Sequence, residues 1–155
     1  MDANRILESI AIQKHSVLLR ESYERVCGKP FPIDLSKLPL TEALYTSDWV
    51  LVSHGTEKDP VFNYANRAAQ RLWGMDWDKF TQLPSRLSAR EDKVEKREAA
   101  LNEAFKKGYI TNYEGIRIDA RGKEFYIRRV TLWNVIDSNG TLHGQAALFD
   151  EWEFL

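Results

Sequence analysis

The chain has 155 residues, 43% of them apolar and 12% aromatic, with 22 Lys+Arg against 23 Asp+Glu and a net charge of −1. That length suits one domain able to bury a core without a disulfide or metal staple, and the balanced charge argues against affinity built on phosphate neutralisation, so nucleic acid is not an expected partner despite the basic run Arg117, Arg121, Lys123, Arg128 and Arg129. Cys27 is a lone thiol, His15, His54 and His143 form no close-spaced ligand pair, and neither a signal-peptide pattern nor a membrane-length apolar run occurs, so a cytoplasmic protein is expected.

In chain order, Asp2 to Val26 is expected to be one helix, capped by Asp2 or Asn4 and ended by Gly28 and Pro30. It carries two apolar stripes. Ile6, Leu7, Ile10, Val17 and Leu18 lie on one side, and Ile12, Leu19, Tyr23 and Val26 recur on another. The second stripe suits either the domain's own core or a second copy of the chain. Gly28 to Pro39 holds three of the five prolines and is expected to be a linker, followed by a short helix over Leu40–Thr46. Residues 1–45 thus form an N-terminal unit packed on a core domain of 46–155.

The pattern then turns to strands. Trp49 to His54 and Val61 to Tyr64 have strand character. Asn66 caps a helix that Gly74 ends, and a short helical piece from Asp76 breaks at Pro84. A longer helix is predicted over Glu91–Lys107, with Val94, Leu101 and Phe105 as its apolar face and Arg97 on that face. Three strands close the chain: Tyr109–Ile118, Glu124–Ile136 and Leu142–Phe149, joined by Arg121-Gly122 and Asn139-Gly140 turns. The expected fold is α+β, a PAS-like five-stranded antiparallel sheet with helices on one face, preceded by an N-terminal helix.

Several segments carry a more specific likeness: Val52-Ser53-His54-Gly55, Asp59-Pro60, Phe62-Asn63-Tyr64-Ala65-Asn66-Arg67-Ala68, Leu83-Pro84-Ser85-Arg86-Leu87-Ser88-Ala89, Tyr113-Glu114-Gly115-Ile116-Arg117, Trp133-Asn134 and Gly144-Gln145-Ala146-Ala147. Together they resemble the MEKHLA domain, a PAS-related family, in its short stand-alone bacterial form. The resemblance implies a PAS-like fold and a sensing role, and it supplies no ligand.

Strand alternation puts Tyr113 and Arg117 on one face and brings Trp133 towards the helices, so an aromatic-walled pocket with a few charged groups is expected. Its candidate ligand-binding residues are His54, Tyr64, Arg86, Arg97, Tyr113, Arg117, Trp133 and Gln145, and the ligand is an anionic or aromatic small molecule. Each residue also has a structural reading. Asn66 and Gln145 satisfy backbone groups, Arg86 ties down a loop, and Tyr113 and Trp133 pack the core. The cofactor stays unassigned: His54 as a haem ligand is not favoured, and flavin–cysteinyl chemistry is disfavoured because Cys27 lies upstream of the core. No catalytic residue is assigned, since Ser53 and His54 point to opposite faces of a strand and no phosphate-cradling loop occurs. The leading expectation is a sensory module that binds a small molecule and signals through the N-terminal helix. The alternatives are a ligand-free dimerisation module and, third, a small enzyme.

Overall fold

The structure, a computed structural model, describes residues 1–155 apart from the side chain of Glu91. The predicted first helix is two helices, α1 (Ala3–Glu8) and α2 (Ile10–Cys27). Ser9 divides them: its backbone is extended and its side chain accepts a hydrogen bond from the Ile12 N–H at 3.3 Å, so a serine that periodicity treats as helix interior acts as an N-cap. Gly28 ends α2 in the left-handed conformation. The linker then turns back over the domain, and Phe31 and Ile33 are buried within it.

After α3 (Leu40–Thr46) come β1 (Val50–His54), β2 (Phe62–Ala65), α4 (Arg67–Trp73) and α5 (Trp77–Phe80). Two short 3-10 turns precede α6 (Val94–Lys107), and β3 (Tyr109–Ile118), β4 (Glu124–Ile136), β5 (Leu142–Phe149) and β6 (Glu151–Phe154) complete the chain. The sheet is antiparallel in the order β2-β1-β5-β4-β3. The sixth strand lies beyond the predicted five. Past Asp150 the chain continues as β6 and pairs with the first half of β4, Phe125 opposite Phe154 and Ile127 opposite Trp152.

The sheet is covered on both sides, and its central strands show it residue by residue. On β1, Val50 and Val52 join one buried cluster with Phe62, Trp73, Phe80, Ala104 and Leu132. Leu51, between them, joins the other with Leu19, Tyr23, Leu44 and Trp133. A strand buried on both faces loses the polar half of its alternation, which is why Val50, Leu51 and Val52 follow one another without a polar break. α4 and α6 cover the first face, here called the inner face; α1, α2, the linker and α3 cover the outer one.

Two helix faces differ from those expected. Ile12, Leu19 and Tyr23 are buried against the outer face of the sheet, with Val26 packed beside them, so the stripe offered to a second copy belongs to the chain's own core. The exposed apolar residues of α2 are instead Ile10 and Val17. On α6 the buried residues are Arg97, Ala100 and Ala104, while Phe105 is 56% exposed. Two alanines on successive turns bring the helix close to the sheet, and hydrophobic patterning underrates them because each contributes little apolar area.

Asn66 caps α4 as expected, its Oδ1 accepting from the Ala69 N–H at 3.1 Å. The same oxygen accepts from the Leu51 N–H at 3.2 Å, and Nδ2 donates to the carbonyls of Leu44 (3.0 Å) and Trp49 (2.7 Å). One fully buried side chain therefore joins the end of α3, the entry to β1 and the start of α4.

Candidate functional site

Between the inner face of the sheet and helices α4 and α6 lies a void of about 40 Å³. Its walls are largely apolar, with Val52, Phe62, Val130, Leu132 and Phe149 among them, and space of that size takes about three water molecules. Polar groups enter from several elements: His54 at the end of β1, Ser88 from a 3-10 turn, Arg97 on α6, Arg117 on β3 and Gln145 on β5.

The two guanidinium groups are more than nine-tenths buried, Arg97 being 5% and Arg117 7% exposed. Arg97 Nη1 donates to Glu98 Oε1 at 3.0 Å, its one side-chain bond among the described residues. Burial, and then the positive charge of Arg117, lower its pKa to about 10, with Glu98 opposing the shift. Arg117 Nη1 donates to the Ile116 carbonyl and Nη2 to the Tyr113 hydroxyl at 3.2 Å, and its guanidinium lies 5.5 Å from the centre of the Tyr113 ring. A Cβ at Gly115 would meet the Tyr113 hydroxyl at 2.6 Å and Arg117 Nη1 at 3.1 Å, so the glycine leaves room for this pair.

His54 is 7% exposed, and its Nδ1 lies 3.0 Å from Ser85 Oγ. Burial and then the Arg97 charge push its pKa down to about 4, so the ring is neutral near pH 7. His15, on α2, is also pushed down to about 4, by burial and then by His143. In the unfolded chain both would titrate near 6.5, so between about pH 6.5 and 4 the unfolded state binds more protons than the folded one and stability falls as pH falls. Each histidine accounts for about 3 kcal/mol by pH 4. Urea midpoints at pH 7 and 4.5 should therefore differ strongly in the wild type and less in His54→Asn. An equal fall in the variant would show that His54 contributes nothing.

Gln145 Nε2 donates to the Leu101 carbonyl (2.9 Å) and to Asn134 Oδ1 (3.2 Å), tying α6 to the sheet while the residue lines the void. Trp73 was not among the sequence candidates. It is 2% exposed and lines the void, yet its indole N–H is buried with no hydrogen-bond partner among the described residues. Sequence can place a tryptophan in a core, but whether its N–H finds an acceptor is decided by neighbours from other elements.

The structure thus brings His54, Arg97, Arg117 and Gln145 together, with Tyr113 behind Arg117. It separates three others. Tyr64 and Trp133 lie on the outer side: Tyr64 packs against Trp77 and His15, and Trp133 packs against Tyr23 and Phe31 while its Nε1 donates to Ser22 Oγ at 3.0 Å. Their strand parity turns them away from the inner face. Arg86 is exposed and paired with Asp59 at 3.2 Å, holding a 3-10 turn to the β1–β2 loop. It lines a surface groove of about 580 Å³ outside the void, and His54, Arg97, Leu101 and Gln145 border both spaces. Among the described residues no cluster of three or more His, Cys, Asp or Glu could hold a metal, and no helix is long and apolar enough to cross a membrane.

Strand order, the helices between β2 and β3 and the void beneath them define a PAS-type α+β domain. Solved structures share this fold. A PAS domain from Colwellia psychrerythraea superposes with a TM-score of 0.61 at 13% identity, covering 74% of this chain and 92% of that one. A fungal light-oxygen-voltage photoreceptor domain gives 0.59 at 18% identity and covers 98% of both chains. An RNA-binding light-oxygen-voltage receptor gives 0.63 at 18%, with 78% of this chain matched to 36% of that one. No curated protein matches. The MEKHLA domain model matches residues 13–154, and the chain belongs to the MEKHLA domain family.

Proposed function

We propose that this MEKHLA domain is a sensory module that binds a small molecule in the void between the inner face of the sheet and helices α4 and α6. The observation that carries this reading is the convergence of two buried arginines on one void, Arg97 with a single side-chain hydrogen bond among the described residues. Buried polar groups normally find partners. Donors left facing a void suit a bound acceptor.

The output element is the N-terminal helix. On β1, His54 borders the void while the adjacent Ser53 lies 2.8 Å from His15 Nε2 on α2. On β4, Leu132 lines the void while the adjacent Trp133 bonds Ser22 on α2. Consecutive residues of two strands thus touch ligand space on one side and the helix on the other, a short route by which occupancy biases α2 packing. If two copies associate through their N-terminal helices, Ile10 and Val17 are the residues available, because the inner stripe is buried.

This reading calls for neither a flavin nor a haem. A void of about 40 Å³ suits a molecule much smaller than either ring system. Cys27 ends α2 among the outer-face residues, and burial pushes its thiol up to about 11. Nothing in this reading requires catalysis.

Native mass spectrometry of freshly purified protein tests the reading. We expect a small adduct that is lost on denaturation and absent from Ala147→Leu, which fills the void. An adduct that survives in the filled variant would place the ligand elsewhere. Adduct-free wild-type protein whose α2 amide exchange is unchanged by cell extract would count against binding altogether.

A further inference from the structure

The charges around the void define the kind of molecule it takes. Arg97 and Arg117 bring two positive charges, Glu98 returns one negative charge to Arg97, and His54 is neutral, which leaves one positive charge unmatched among the described residues. Free donors remain on Arg97, whose one side-chain bond is to Glu98, whereas Gln145 and Ser88 spend their donors on Leu101, Asn134 and the Ser85 carbonyl. Exposed arginines would be satisfied by water. At 5% and 7% exposure these two have little water to share, and Glu98 alone among the described residues offsets their mutual repulsion, pairing with Arg97 only.

Size and the apolar walls narrow the choice. About 40 Å³ holds a few heavy atoms, and Val52, Val130 and Leu132 offer contacts suited to a methyl or ethyl group. Resting on the ligand-binding reading above, we infer that the void takes a short-chain monocarboxylate. Its carboxylate lies against Arg97 and Arg117, and its alkyl end lies on the apolar wall. A planar carboxylate accepts from two guanidinium groups together, and its single charge matches the single unmatched one. A dianion such as succinate would exceed both the charge and the space, and binds at least tenfold more weakly.

The Trp73 indole N–H gives a direct readout, because its resonance stands apart from backbone amides in a nitrogen–proton correlation spectrum and Trp73→Phe assigns it among the five tryptophans. Sodium acetate and sodium propionate are titrated into the full chain. Acetamide serves as the uncharged isostere, and sodium chloride matches ionic strength. Because Trp73 lines the void, the carboxylates should shift this resonance and saturate, acetamide and chloride should leave it in place, and Arg97→Gln should weaken the apparent affinity tenfold or more. Arg117→Gln is the second variant should Arg97→Gln fail to fold, and the comparison of acetate with acetamide in wild-type protein stands without either. Equal saturation by acetamide, or by chloride, overturns the carboxylate assignment and leaves the void as a small-molecule site. A neutral adduct in native mass spectrometry with no response to the carboxylates does the same. No response to any probe, in a protein that also carries no adduct, overturns both this inference and the reading it rests on.

Discussion

Gly144→Ala lowers the unfolding free energy by about 4 kcal/mol, combining roughly 1–3 for backbone strain with roughly 1–3 for overpacking. Gly144 has φ +141°, a conformation that side-chain-bearing residues rarely adopt, and a Cβ there would lie 1.8 Å from the His54 carbonyl oxygen. The obstacle is backbone, so no rotamer change relieves it. β5 must move away from the end of β1, where His54 pairs with Gln145, and both residues border the void. We expect a lower urea midpoint with an unchanged denaturant slope, together with displaced resonances at His54 and Gln145. A loss under 1 kcal/mol would mean that the β1–β5 contact yields more easily than its geometry implies.

Asn66→Ala should be comparably severe, about 4 kcal/mol, because it removes all four hydrogen bonds of a fully buried side chain. Two N–H donors, of Leu51 and Ala69, and two carbonyls, of Leu44 and Trp49, lose their partner. Each orphaned buried group costs about 1–3 kcal/mol before relaxation or entering water recovers part of it. Asn66→Asp separates the roles: it keeps the acceptor for Leu51 and Ala69 but cannot donate while ionised, and it adds a buried charge. It should remain strongly destabilised at pH 7 and recover in part as acid protonates the carboxyl. If Asn66 were only a cap for α4, Asn66→Ala would lose about 1 kcal/mol, and chemical denaturation separates these outcomes clearly.

Asn66 shows where sequence reading reaches its limit. Its place before Arg67-Ala68-Ala69 announces a helix cap, because capping is local chemistry within three residues. Its bonds to Leu44, Trp49 and Leu51 join positions 15 to 22 residues away, and only the folded chain sets those distances. Ser9 is the reverse case: a cap signal was present, and an apolar pattern continuing across it concealed the break.

The candidate site divides in the same way. Arg97 stood out because a charge on a helical apolar face is anomalous, and Arg117, His54 and Gln145 gather with it. Tyr64 and Trp133 have the right residue type and the wrong face. A strand buried on both sides gives no polar parity from which to tell inner from outer. Trp73 went unnoticed because an unsatisfied N–H is a property of its neighbours and leaves no trace in its own position.

By itself, then, the sequence determined most of the elements, their order, the antiparallel hairpins and the α+β class. Each of these rests on interactions between residues close along the chain: periodicity, caps and turns. Tertiary structure alone decided that α2 covers the outer face with its inner stripe, that β6 extends the sheet, that two arginines share one void, and that the Trp73 N–H is buried without a partner. Those features depend on distances between residues far apart in the chain, which close packing sets and local pattern does not encode.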